Sequence, residues 1–354
     1  NVFALVGKDS YRTSFAQTVF ANVLMQQFLG SMERNLPPTS FSKSGSRFFT
    51  DDFLHERIFT PFLFEDFSTH ILPHMPGTLL GVYMSSIYQF RHKDYLRYGF
   101  PEYPKGLPWI QETDIYFRLE DVFDGVLQDI RNNSTQDRPH FGYYHLYAPH
   151  EPSRPHIDFL KMFRDDYRPV QKPIHPFGEG FKNKDLAEKQ LLYDRYIANV
   201  DHEFGRLLDN LEKEGLLEDT YIVVTSDHGQ LFERAFYGHG GKLLYDGVIH
   251  IPLLVRAPGQ ASRQDVHART SNVDLLPTLL SLMGREIPLH VEGKLLPGLG
   301  GQEDPSRPIY SMVATGASSF QTIQRATYCI QTDAHKLIYY KGYEEYPEVF
   351  ELFN

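Results

Sequence analysis

The sequence predicts an α/β protein whose mostly parallel sheet is flanked by helices, with a small antiparallel lobe at its carboxyl end. Three observations predict this fold class. Residues 185–211 have the spacing of a long amphipathic helix, and a strand is expected directly after it at 221–225. A further strand at 249–256 precedes a helix at 274–282. Beyond residue 284 the pattern changes to short and more polar strands.

The central helix is indicated by one stripe of apolar side chains that runs from Leu192 to Leu211. Asp185 and Glu188 have the spacing of a capping pair at its start, and Gly215 predicts its end. The strand that follows is a continuous run of aromatic and β-branched residues, typical of a strand buried on both faces of a parallel sheet. A helix followed by such a strand predicts a crossover unit.

The later elements continue the alternation of helix and strand up to Gly284, and after it the sequence predicts strands alone. Pro277 lies in the first turn of the second helix, where no amide donor is needed. After Gly284 the sequence predicts three strands, of which the last two form a hairpin, at residues 309–313, 327–332 and 335–340.

The amino-terminal half is less regular. Residues 41–181 are rich in Phe, Tyr, His and Pro without a sustained period, which predicts a loop-rich insertion that walls a cleft. Within it, residues 113–132 have the spacing of an amphipathic helix, and a short strand is expected at 140–147. We therefore expect an α/β domain over 1–284 and an antiparallel subdomain over 285–354.

Composition excludes several classes of function. The formal net charge is −10, from 35 basic and 45 acidic residues. A protein that binds the nucleic acid backbone needs a basic surface, so no nucleic acid partner is expected. No run of about 18 apolar residues occurs, so no membrane segment is expected in this chain. The single cysteine, Cys329, excludes an intrachain disulfide framework and is expected to be a small buried hydrophobe.

The sharpest local feature is the segment Thr225-Ser226-Asp227-His228-Gly229 at the end of the predicted buried strand. Ligands in open α/β sheets bind beyond the carboxyl ends of strands. A carboxylate beside an imidazole can offer one oxygen and one nitrogen to a divalent cation, and the glycine would let the chain turn sharply away. The alternative is an aspartate that only caps the next turn.

Four further side chains are candidates for anion binding or proton transfer. His239 lies among glycines that leave its imidazole unobstructed, and Lys242 offers a cation to an anionic substrate; a solvated turn is the alternative. His150 lies between two prolines, which present it on a stiffened backbone as a general acid or anion contact. His145 is placed with the substrate-binding residues, and a core position is its alternative.

The combination of these motifs resembles the central segment of the sulfatase family, within the alkaline-phosphatase superfamily. The resemblance is carried nearly position by position by the segment that ends at the Asp227-His228-Gly229 triplet. Further segments are similar to the family in the same order along the chain: residues 10–15, 147–152, 193–208, 244–256, 272–280 and 332–339.

The resemblance implies a sulfuric ester hydrolase. It implies that Asp227 and His228 bind one divalent metal ion, with Ca²⁺ preferred and Mg²⁺, Mn²⁺ or Zn²⁺ as alternatives. His150 and His239 are implied as catalytic contacts to the anion or the leaving group. The implied substrate is an anionic sulfate or phosphate ester, attacked in line at the metal.

The chain also departs from the family pattern. The family carries a pair of acidic metal ligands on its first strand and then a nucleophile, which is a formylglycine made from cysteine, or a serine or threonine. Neither is found in this sequence, so we expect that both termini are cuts, that domain 1–284 is truncated, and that the isolated fragment is inactive.

Alternatives remain open at this stage. An Asp-His pair also serves phosphoryl chemistry in the superfamily, so a phosphodiesterase, a phosphonate monoester hydrolase or a phosphoglycerol transferase is the first alternative. The second is a noncatalytic binder of anionic glycans. The natural ester, the oligomeric state and the compartment are not predicted.

Overall fold

The structure is a computed structural model that describes residues 2–38, 40–41, 79, 83, 99–110, 115–134, 137–164, 171–314 and 322–354. The α-helices among these residues are α1 (Val2–Val6), α2 (Val19–Gln26), α3 (Leu119–Ser134), α4 (Asn183–Lys213), α5 (Asp246–Ile249) and α6 (Leu275–Leu282). The first strands are β1 (Tyr11–Ala16), β2 (Arg34–Leu36), β3 (Trp109–Ile110), β4 (Ile115–Tyr116), β5 (His140–His145) and β6 (Ile222–Thr225). The remaining strands are β7 (Leu231–Glu233), β8 (Phe236–Gly238), β9 (Leu253–Arg256), β10 (Ile309–Ala314), β11 (Ala326–Gln331), β12 (Lys336–Lys341) and β13 (Val349–Phe353). Much of the predicted insertion, including residues 42–78, lies outside the described residues.

A parallel sheet forms the first part of the fold, as predicted. Strand β1 lies at its centre, with β2 and β5 parallel to it on either side. The register pairs Tyr11 with His140 and Ala16 with His145, so β1 and β5 end together. Thr13, Ser14 and Phe15 in this central strand are buried completely.

Helices α3 and α4 pack on each other and build the main hydrophobic core with β4 and the segment after β5. Helix α4 begins at Asn183, after a residue that makes no capping bond with its side chain. The predicted capping pair of Asp185 and Glu188 is therefore wrong, since both residues lie inside the helix. Its predicted end is confirmed by Gly215, which adopts a left-handed φ of +68°. None of the described helices is both long enough and apolar enough to cross a bilayer.

Strand β9 pairs with β6 in the antiparallel direction, which corrects the expectation of a parallel crossover. The reason is the connection between them. After β6 the chain forms the β7–β8 hairpin and the single turn of α5, so it returns without a long crossover helix. Among the described strands β6 pairs with β9 alone, and its side chains are half-buried or exposed rather than buried on both faces.

The carboxyl-terminal lobe is an antiparallel sheet with the strand order β10-β11-β12-β13, which confirms the predicted hairpin and adds a fourth strand. Cys329 is buried on its inner face, as expected. This face shares one hydrophobic cluster with Leu231, Leu244 and Tyr245 of the preceding segment. The two regions therefore share a core, and the domain boundary between residues 284 and 285 stays a prediction.

Candidate active site

Two strand ends bring several of the predicted site residues together. Strand β5 ends at His145, and Asp227 and His228 follow the end of β6. The His145 Nε2 atom lies 3.6 Å from the Asp227 Oδ2 atom, although the Asp227 side chain is 63% exposed. The carboxylate therefore lies at the surface, supported from behind by an imidazole. This contact places His145 next to the predicted metal ligand.

The surroundings of Asp227 keep its carboxyl group ionised. The interaction with the His145 imidazole lowers the pKa of Asp227 to about 2, against partial burial, which raises it. The charge of His228 and its backbone amide add to the lowering, and that amide donates to Asp227 Oδ1 at 2.9 Å. The group is therefore a full negative charge through the neutral and mildly acidic range, as a metal ligand requires.

The orientation of His228 leaves one ring nitrogen available. Its Nδ1 atom lies 2.9 Å from the Gly229 carbonyl oxygen, so Nδ1 carries the proton and donates. The Nε2 atom is the ring nitrogen whose lone pair a metal ion would use, and it lies 3.7 Å from the Asp227 Oδ1 atom. One oxygen and one nitrogen therefore converge, which fits two positions of a divalent cation. Among the described residues, no group of three or more His, Cys, Asp or Glu side chains is arranged to hold a metal.

The imidazoles form a continuous cluster beside this pair. The ring of His239 stacks on His228 with centroids 4.0 Å apart, and the His150 ring makes an edge contact with His239 at 4.9 Å. The His239 Nδ1 atom lies 2.8 Å from the Gln230 side-chain oxygen, which fixes the ring. Burial, followed by the charges of His228 and His150, lowers the pKa of His239 to about 4. His239 is therefore neutral near pH 7.

The loop that carries His150 is held by its own hydrogen bonds. The His150 amide donates to the Tyr147 carbonyl oxygen at 2.8 Å, and the Tyr147 hydroxyl donates to the Glu151 carbonyl oxygen at 2.7 Å. The His150 Nδ1 atom lies 2.8 Å from the same Glu151 oxygen, so its Nε2 atom is the one directed away from the backbone. Cis peptide bonds precede both Pro149 and Pro152.

Lys242 is directed elsewhere. Its ammonium group lies 4.3 Å from the centre of the Phe177 ring, 5.2 Å from that of Tyr343, and 3.6 Å from a carboxylate oxygen of Glu345. These cation–π and ionic contacts belong to the packing of the carboxyl-terminal lobe. The structure therefore does not join Lys242 to the histidine cluster.

Gly229 is needed for close packing, whereas the sequence suggested a sharp turn. Its amide donates to the Val248 carbonyl oxygen at 2.7 Å. A Cβ atom added at Gly229 would lie 2.3 Å from the carbonyl oxygen of Gly247, which is backbone and cannot swing aside. This close approach fixes the segment that presents Asp227 and His228.

Replacing Gly229 by alanine is expected to lower the free energy of unfolding by about 1–3 kcal/mol, because the added methyl group forces two backbones apart. Urea unfolding followed by circular dichroism measures the change. Gly240→Ala is the matched control, since its added Cβ meets no atom within 4 Å and lies in the same region. Equal stability of the two variants would contradict the packing argument.

Some contributors to this site were missed in the sequence. Gln230 orients His239, and Tyr237 lies beside the loop of His150, yet neither belongs to a recognisable pattern. The only available signal is their closeness along the chain to Gly229 and His239.

Comparison with solved structures shows the class of fold. The phosphonate monoester hydrolase of Agrobacterium radiobacter superposes with a TM-score of 0.57, covering 75% of this chain and 61% of that one at 21% identity. The chain therefore has the α/β fold of that hydrolase.

The family follows from the sequence comparisons. A family model described as Sulfatase matches residues 93–285, which is more than half of the chain, and one described as N-sulphoglucosamine sulphohydrolase, C-terminal, matches residues 233–354. The chain belongs to the sulfatase family.

Two relatives illustrate this membership. Arylsulfatase K from Xenopus laevis is 31% identical over 180 residues, which are 49% of this chain and 33% of that protein. Arylsulfatase K from Gallus gallus is 34% identical over 182 residues, again 49% of this chain and 33% of the relative. The chain thus spans about a third of the length of these curated relatives. Family membership implies a divalent metal ion and, in general, a formylglycine.

Proposed function

We propose that the protein hydrolyses sulfate esters at a site that holds one divalent metal ion. The observation that carries the proposal is the unbroken series of contacts from Asp227 through His228 and His239 to His150. A metal-binding pair at one end and imidazoles at the other are the parts needed to bind an anion and to protonate a departing alcohol. The implied products are an alcohol and sulfate.

In this proposal Asp227 and His228 would hold the ion. When bound, it supplies positive charge to a nonbridging oxygen of the ester, which favours in-line attack. Ca²⁺ is the first candidate because it prefers carboxylate oxygens, whereas the imidazole of His228 also suits Mn²⁺ or Zn²⁺. The nucleophile implied by the family, an alkoxide or a formylglycine hydrate, is not assigned to a residue of this chain.

The two remaining histidines take different roles. Since the pKa of His239 is lowered to about 4, this ring is a poor proton donor near neutral pH. We therefore assign proton donation to the leaving group to His150 Nε2, which points away from the backbone. His239 contacts the anion and separates the metal pair from His150. His145 positions Asp227 through their 3.6 Å contact, and Lys242 has a structural role in the carboxyl-terminal lobe.

The alternative of phosphate ester chemistry is favoured by one observation. The pair at the metal position is Asp227 and His228, and the superfamily uses such a pair for phosphoryl transfer as well. A second alternative, binding of anionic glycans without turnover, requires no metal at Asp227.

The test assays the full-length protein against an aryl sulfate and a bis-aryl phosphate, after chelation and after addition of Ca²⁺, Mg²⁺, Mn²⁺ or Zn²⁺ in turn. We expect metal-dependent turnover of the aryl sulfate, with the phosphate diester slower. Faster cleavage of the phosphate diester would favour the phosphodiesterase alternative. If neither substrate is cleaved and no stoichiometric metal is bound, the result would favour the alternative of a noncatalytic binder of anionic glycans.

A further inference from the structure

A cleft of about 460 Å³ opens beside the loop that carries His150. Its lining includes three cationic side chains, Lys105, Arg154 and Lys189, and one carboxylate, Glu151. The excess of positive charge is notable in a chain whose formal net charge is −10. The local field therefore attracts anions although the whole chain is acidic.

The cations are held at the cleft by separate parts of the fold. Lys189 belongs to α4, and its ammonium group lies 4.1 Å from the centre of the Tyr237 ring. The Arg154 guanidinium donates to the Lys105 carbonyl oxygen at 2.8 Å, which ties the His150 loop to the segment before β3. Arg154 and Lys189 are half-buried, so their side chains are already partly ordered. Binding a ligand therefore costs less conformational entropy.

The cleft shares a wall with the histidine cluster. Glu151 follows His150 directly, and the pKa of Tyr237 is raised by burial and then by the neighbouring Glu151 carboxylate. Glu151 and Tyr237 both line the cleft, and Tyr237 lies two positions before His239 in the chain. The cleft therefore adjoins the loop that carries His150 and the strand that leads to His239.

We propose that this cleft binds a second anionic group of the substrate, a sulfate or a carboxylate carried on the same saccharide as the ester that is cleaved. The inference rests on the proposed function for the position of the scissile ester. Lys189 and Arg154 supply charge-assisted contacts, and Tyr237 and Pro152 provide a surface for the sugar ring. The substrate class is thus a polyanionic saccharide, for which a simple aryl sulfate is an incomplete substitute.

Lys189→Gln tests the subsite, because it removes the charge and keeps most of the aliphatic stem. For a disulfated disaccharide we expect KM to rise about five- to tenfold with kcat unchanged. The KM for an aryl sulfate with a single charge should stay the same. A disaccharide that carries one sulfate and one uronate distinguishes a carboxylate from a second sulfate as the group bound.

Two control variants complete the design. Lys184 lies on the same helix as Lys189, and its side chain is 85% exposed. Lys184→Gln should therefore leave the KM for the disulfated disaccharide and the KM for the aryl sulfate unchanged. Lys189→Arg should restore most of the affinity, because it keeps the charge. Equal increases of KM for the charged disaccharide and the aryl sulfate, or no increase for either, would overturn the subsite.

Calorimetric binding of the disulfated disaccharide separates this inference from the proposed function. If no ester is cleaved but binding weakens in Lys189→Gln, the cleft is an anion site and the hydrolase proposal fails. If esters are cleaved but neither binding nor KM depends on Lys189, the hydrolase proposal survives and the subsite is wrong.

Discussion

Asp227→Asn is expected to reduce metal-dependent turnover of an aryl sulfate by the full-length protein about 10³-fold or more. The amide has nearly the shape of the carboxylate but lacks its charge, which the His145 and His228 contacts preserve by lowering the pKa of Asp227 to about 2. We therefore expect the variant to fold normally and to retain less than stoichiometric metal. Steady-state kinetics and metal analysis of the same preparation measure both effects.

Asp219→Asn is the matched control, because this aspartate is exposed in the turn that precedes β6. It should retain full activity and metal content. If Asp227→Asn keeps its metal and its turnover, then Asp227 only caps the turn after β6, which is the alternative to metal binding that the sequence allows.

The sequence could predict these residues because their signals are local. Asp227 and His228 follow a run of β-branched residues, and His150 lies between two prolines, so each is recognisable within about ten positions. The resemblance to a family then linked the separate motifs. Their contact in space depends on β5 and β6, whose ends lie side by side, as the contact between His145 and Asp227 shows.

Other features depend on residues far apart in the chain, and sequence patterns do not contain them. The direction of β9 was predicted wrongly because a hairpin and a short turn replace the crossover helix. The ammonium group of Lys242 contacts Tyr343 and Glu345, which lie about a hundred positions away in the chain. No local sequence pattern predicts these contacts. The position of a long, flexible side chain such as that of lysine depends on its contact partners in space, which the neighbouring residues in the sequence do not determine.

The cleft near Lys189 shows the same limitation in another form. Its cations come from the segment before β3, the His150 loop and α4, and each is ordinary in its own sequence context. A net charge of −10 even argues against an anion-binding surface when it is averaged over the chain. The proposed specificity for a charged saccharide therefore depends on how the fold places these residues in space.

His150→Gln is expected to lower kcat for an alkyl sulfate by roughly 10²–10⁴-fold, the contribution typical of a general acid. For a nitrophenyl sulfate the loss should be much smaller, because that leaving group departs without protonation. The difference arises from the His150 Nε2 atom, which its Nδ1 contact with the Glu151 carbonyl oxygen directs away from the backbone. Comparing kcat for the two esters in one variant separates proton donation from substrate positioning.

Two comparisons make this result specific to His150. His239→Gln should lower both rates by a similar factor, because a ring with a pKa of about 4 contacts the anion without donating a proton. His267→Gln, at an exposed position, should leave both rates unchanged. If His150→Gln slows the alkyl and nitrophenyl esters equally, His150 positions the substrate and the proton comes from another group. A loss confined to the alkyl ester in His239→Gln would assign that donor to His239, with its pKa raised by the bound anion.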